Sequence, residues 1–516
     1  MLKPYTGPWS EHLAAHLLRR TVFGASRSTI RRYGQIGMQQ CVEELLEVLS
    51  PPPPPVNVRY DSDPNVPIGE TWVDKPSTAG VNIYRRISLN SWSLRLMYQQ
   101  KPNIREKMTL FWHNHFVVAD IQDPRFVYKT MALLRSQSLG NFKQLTKDIT
   151  IDPSMLIYLN GNDNTRQAPN ENYARELLEL FTLGKGNIAG PGDYTTYTES
   201  DIMAISKVLT GWVAVFTAVP IRSEFRITRH DTGAKQLSHR FGNRIINNNG
   251  ITEYKDLIDI IFQREEVSRF ICRKLYTWFV HHDIDEEVEN AVINPMAELL
   301  RANDYEIKPV ITALLSSEHF YTHCSLGCMV KNPIDFMISP LNIFNMPIPS
   351  DKALEERIFN ALYVSTRSQQ MSLFEAPSVA GWQAYYQAPL YDKLWLNAYT
   401  LPVRKVYTDT ISSAGFPIGT YRLQTDPAVY LQQFDDPQNA DSVIQQFALV
   451  LFAKPLSSNQ LDELRKIMLG VPVTSWSVIY NAYAADPGNN TKKTAVNNRL
   501  RPLLVYMMRM PEIHLS

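Results

Sequence analysis

The sequence predicts a mainly α-helical protein: one large multi-helix domain with long loops, at most a short β-hairpin, and a smaller C-terminal helical region. Three observations lead there. Apolar residues recur every three or four positions, as in Tyr173, Ala174, Leu177, Leu178, Leu180 and Phe181, which lines up one helix face. Capping residues and glycines bracket such stretches. Strand-like alternation is scarce, and 216–227 is the best candidate for a short hairpin. A chain of 516 residues exceeds the ~250–300 at which a single core usually stops growing, so a principal domain with a smaller companion is expected.

Taken in order, 1–50 reads as N-terminal helices. Ser10 caps a helix with Leu13, Leu17 and Leu18 on one face, Gly24 stops it, and Gln39 to Leu49 forms another. Five prolines at 51–55 end that helix. They cannot donate backbone hydrogen bonds, so 51–82 is expected to be an extended Pro-rich linker and surface loop. A central helical domain follows over 83–345, with loops at 160–169, 184–197 and 228–252. Residues 346–425 are irregular and punctuated by Pro and Gly. The C-terminal helical region, 426–516, should hold helices at Ser442 to Leu469 and Asn497 to Met510. The clearest pair is 170–184, started by Asn170 and stopped by Gly184, and 198–211, opened by Thr198 with Asp201 three residues on, a capping-box pattern.

Composition narrows the function. Net charge is +1, from 52 basic and 51 acidic residues, which argues against a nucleic-acid partner. No stretch approaches the ~20 apolar residues of a membrane span. With Met1 as the native start and no apolar leader behind it, a cytoplasmic protein is expected. Four cysteines are too few for a disulfide scaffold at this length. There is no P-loop, dinucleotide-binding glycine fingerprint, G-x-S-x-G elbow or Cys-x-x-Cys-His haem motif.

Three constellations could carry chemistry. The first is Trp112-His113-Asn114-His115-Phe116. Either histidine could ligate a divalent metal or act as a general base. If the helix runs through both, His115 joins the apolar face of Ile104, Met108 and Phe111 while His113 points away. The alternative makes His115 a hydrogen-bonded core residue and His113 a cap. The second is the stripe Asn172, Arg175, Glu176, Glu179. Glu176 and Glu179 lie about one turn apart, suited to a divalent metal or to acid–base work, and Arg175 could orient an anion. The same residues also suit plain i,i+4 ion pairs. The third is His230-Asp231, followed by Lys235 and His239, either a metal or triad-like couple or an Asx turn. Two further clusters favour a bland reading. His12 and His16 have the i,i+4 spacing of a metal face without a third ligand, and His319, His323, Cys324 and Cys328 do not match the usual short Cys-x-x-Cys spacings.

The passage PNENYARELLELFTLG, followed by YTESDIMAISKVLTGW, resembles the signature of a bacterial family known as domain of unknown function 1800. HLLRRTVFG, REKMTLFWHNHF, HDTGAK, RFICRKLYTWFV, LLSSEHF, KNPIDF and APSVAGW follow the same family pattern, together covering roughly residues 12 to 400. The resemblance implies a pathway shared with an exported family, domain of unknown function 1501, as partner. It supplies no reaction.

Three functions follow as expectations. In the first, His113, His115, Arg175, Glu176, Glu179, His230 and Asp231 converge in one pocket of a hydrolytic or oxidative enzyme, with His113, His115, Glu176 and Glu179 holding a divalent metal. The second is a non-catalytic partner or maturation factor acting with an exported protein. The third is a helical scaffold. The discriminating expectation is that FWHNHF packs on NENYARELLEL, bringing His113 or His115 within reach of Glu176 or Glu179.

Overall fold

Several helix starts follow side-chain chemistry in the computed structural model, which describes residues 2–78, 80–98, 101–322, 325–470 and 475–516. Ser10 accepts the Leu13 N–H and starts Glu11–Thr21, and Ser26 likewise starts Arg27–Ile36. Gly24 lies at φ +89° against the Ser339 backbone, where a side chain has no room. The capping box of Thr198 and Asp201 opens Glu199–Val208 as expected. Asn170 accepts the Asn172 N–H at 2.9 Å. The helix it starts is α-helical over Asn172–Glu176 and then widens to a π-helix over Leu177–Thr182.

The mainly helical reading holds, with one correction. Among the described residues there are four short antiparallel ribbons rather than at most one hairpin. Trp212–Val215 pairs with Arg222–Phe225, flanking the turn of the expected hairpin. The others join Ile188–Gly190 to Asp193–Tyr194, Lys235–Gln236 to Ile245–Ile246, and Phe416–Ile418 to Tyr421–Leu423. Strands of two to four residues are too short for alternation to register in a sequence. The C-terminal region also divides more finely. Ala440–Leu451 and Ser458–Leu469 are separate helices, broken around Pro455 and restarted by a Ser457–Gln460 capping box.

Residues 51–78 are irregular, with exposed stretches and several docked side chains and carbonyls. Prolines cannot donate, but their carbonyls accept: Pro53 takes the Trp92 indole N–H at 2.9 Å and Pro55 the Thr71 hydroxyl at 2.8 Å. Trp72 is buried and donates to Ser88 at 3.1 Å. Arg85 and Asp63 form a buried ion pair at 2.9 Å. A continuous cluster of buried apolar side chains runs from Ala14 to Ile513 and takes in all five sequence segments. Among the described residues, no helix is long and apolar enough to cross a membrane.

Candidate functional site

The helix Arg105–His115 runs through both motif histidines, so they leave it on different sides. His113 is fully buried, and its Nε2 accepts the Phe374 N–H at 3.1 Å. The Phe374 and Trp382 rings pack against it, and among the described residues its Nδ1 has no hydrogen-bond partner. Burial drives its pKa from 6.5 down to about 4, because a charged imidazole there would be unsolvated. Between the two, Asn114 accepts the Trp382 N–H at 3.0 Å. Gly381 is required beside it: at φ +98°, a Cβ would lie 2.3 Å from Asn114 Oδ1.

His115 does meet the second motif, at its backbone. Its Nε2 donates to the Phe181 carbonyl at 3.1 Å, and its Nδ1 accepts from Lys274 at 3.3 Å. Lys274 also donates to the Leu180 carbonyl at 3.1 Å. A helix end leaves carbonyls without intrahelical partners, and here a histidine and a lysine supply them. A cation there also suits the helix dipole. Burial lowers the Lys274 pKa to about 8 and takes His115 well below 6.5, with Lys274 adding to the effect. FWHNHF, APSVAGW, NENYARELLELFTLG and RFICRKLYTWFV thus meet at one buried junction.

The carboxylate stripe faces elsewhere. Arg175 forks onto Glu199 at 2.9 and 3.1 Å and reaches Glu171 at 3.4 Å and Glu179 at 3.6 Å. Glu179 accepts the Tyr197 hydroxyl and lies 3.7 Å from Lys185. Glu176 differs from its neighbours: half-buried, it has no hydrogen bond or ion pair among the described residues. Burial and then Glu179 raise its pKa.

His230 and Asp231 also part company. His230 is fully buried; its Nδ1 donates to the Thr210 carbonyl at 2.9 Å, and its Nε2 faces Glu253 at 3.0 Å. A carbonyl only accepts, so Nδ1 is the donor in that bond. Lys235 closes on the other Glu253 oxygen at 2.6 Å, both side chains fully buried. The Thr210 hydroxyl lies 3.2 Å from His230, which gives the outline of a nucleophile–base–acid triad. Its proton is committed to the Lys207 carbonyl, and it is sealed from solvent. Asp231 forms an Asx turn, accepting the Gly233 N–H at 2.8 Å.

Among the described residues, His113 and His115 thus bond separate partners, and neither is hydrogen-bonded to Glu176 or Glu179. No group of three or more His, Cys, Asp or Glu side chains converges to hold a metal ion among the described residues. His16 donates to the Phe320 carbonyl at 3.0 Å, while His12 is exposed. His319 bonds the Tyr276 hydroxyl at 2.8 Å, and His323 and Cys324 lie outside the described residues. The sequence reading missed Asn114, Lys274, Glu199 and Glu253. Asn114 and Lys274 were visible only as polar residues inside apolar motif runs.

A concave site does exist on the opposite end of Arg105–His115. A cleft of about 630 Å³ is lined by Leu49, Pro51, Pro52, Trp92, Tyr128 and Leu133, among others. Arg135 stacks on Trp92 at 4.8 Å and is pinned by the buried Glu106 carboxylate at 2.9 Å. Glu47, Arg105, Glu306 and Lys308 mix both charge signs around it. Its size falls within the range of ligand pockets.

No curated protein and no solved structure matches the chain. The helical architecture and the motif junction are accompanied by a family match over residues 16–513, and the chain belongs to the family described as protein of unknown function, DUF1800.

Proposed function

We propose that the protein is a non-catalytic binding partner that holds an apolar segment of another polypeptide in the cleft between the proline run and Arg105–His115. The cleft carries this reading. Its lining combines aromatic and aliphatic side chains with both acids and bases, which suits a neutral chain bearing apolar side chains better than a polyanion. The motif histidines, by contrast, are spent on backbone groups deep in the core. The exported domain of unknown function 1501 family, implied by resemblance, is the partner to test. Ala132 is half-buried and lines the cleft, so Ala132→Trp fills it without opening the core. In calorimetric titration with such a partner, that variant should lose at least about tenfold in affinity, or 1.4 kcal/mol. Unchanged affinity rejects the cleft as the binding surface.

A second reading rests on Glu176. A half-buried carboxylate with a raised pKa and no partner, close to Arg175 and Glu179, suits a general acid in a hydrolytic reaction. Glu176→Gln should then abolish turnover of whichever substrate a hydrolase screen identifies. Full activity in that variant removes Glu176 from the reaction.

A further inference from the structure

The N-terminal helix, Arg105–His115, Pro333–Ile343 and Thr400–Ser412 bring five cations together around one carboxylate. Arg20, Lys107, Lys331 and Arg404 are buried, as is Asp335; Arg19 is half-buried beside them. Asp335 is spent on Lys107 and on the Asn332 amide, which donates at 2.7 Å. Among the described residues, Arg19, Arg20, Lys331 and Arg404 have no carboxylate within ion-pair distance. Their partners are carbonyl groups, Leu449 for Arg19, Ser325 for Arg20, Ile513 for Lys331 and Lys331 for Arg404, and for Arg20 also the Cys328 sulfur at 3.2 Å. Among the described residues, Arg20 Nε and Arg404 Nε and Nη1 have no hydrogen-bond partner. Carbonyl dipoles solvate a cation without neutralising it, and buried charge without a counter-charge is expensive.

A small cavity opens within this cluster. Arg19, Lys331, Asp335 and Ser339 line it, with Gly24 and apolar side chains completing the wall. Its volume is about 20 Å³, slightly above the ~10–15 Å³ that admits one water-sized particle. We propose that this cavity binds a single monoatomic anion, chloride, held between the Arg19 guanidinium and the Lys331 ammonium with the Ser339 hydroxyl as a further donor. Polyatomic oxyanions such as phosphate are too large for it. Asp335 also borders the cavity, so the anion sits on the side where the cations are unpaired. Burial and then Arg19 bring Lys331 down to about 7, and burial brings Arg404 to about 9. Of the two, Lys331 lines the cavity, where a counter-ion relieves the cost of its charge.

Crystals of the full chain grown in sodium bromide test the site directly. Anomalous density between Arg19 and Lys331 is the expected result; water alone in the cavity overturns the proposal. In solution, the melting temperature should be on the order of 3 °C higher in saturating sodium chloride than in sodium gluconate of equal ionic strength, since gluconate cannot enter. Arg19→Gln should remove that difference. Equal melting in both salts for the wild type, or an undiminished difference in the variant, overturns the site. If Arg19→Gln does not fold, the bromide experiment on the wild type decides alone.

Discussion

Acid should weaken this protein through His113 in a way that one substitution removes. The folded-state pKa of about 4 lies below the ordinary 6.5, so the unfolded chain takes up a proton that the folded chain refuses. Stability from this group is complete above pH 6.5 and is lost as pH falls toward 4. Each pH unit in that window costs about 1.36 kcal/mol. Between pH 6.5 and 5.0 the loss is therefore about 2 kcal/mol, rising to roughly 3 kcal/mol over the whole window. His113→Gln keeps an acceptor for the Phe374 N–H and does not titrate. Urea unfolding at pH 7.5 and 5.0 should show the wild type losing about 2 kcal/mol more than the variant. The other histidines shifted down by burial, His12, His16, His115, His281, His319 and His514, titrate in both proteins and cancel in the difference. Only the pH dependence matters, so a lower baseline in the variant is immaterial. Equal losses would mean that His113 is solvated or proton-accessible in the folded state, and the buried-junction reasoning would fail.

Glu253→Gln should destabilise by about 3–5 kcal/mol in the same assay, because buried Lys235 would lose its close counter-charge and keep only Asp231 at 3.8 Å; a change below 1 kcal/mol would show that the network is not closed. Gly381→Ala should cost about 1–3 kcal/mol from its φ of +98° alone, with more from the clash against Asn114, read as a lowered urea midpoint; an unchanged midpoint refutes the tight approach. Thr198→Ala should cost about 1 kcal/mol through loss of the capping box, checked by thermal melting, and a neutral result would place the start of Glu199–Val208 elsewhere.

The legible part of the fold was local. Ser10, Thr198 and Asn170 announced helix starts because a cap acts on N–H groups two or three residues away, and Gly24 announced a stop because its backbone conformation excludes side chains. The short ribbons were not legible, since two paired residues leave no period. Nor was the docking within 51–78, where proline carbonyls accept bonds from side chains up to 39 residues away. The family match also extends to residue 513, beyond the resemblance visible to about residue 400, because the C-terminal helices complete the same core.

The site illustrates the division sharply. Sequence alone determined that helix periodicity would turn His113 and His115 apart if one helix carried both, and that Glu171, Arg175 and Glu179 could pair along one face. Only the tertiary structure decided their partners. His113 bonds a residue 261 positions away, and His115 bonds one 66 away and another 159 away. Helical spacing fixes a direction from the helix axis but carries no information about which distant backbone group arrives there. Burial then settled the chemistry, by removing the water that would have let those imidazoles titrate near neutrality.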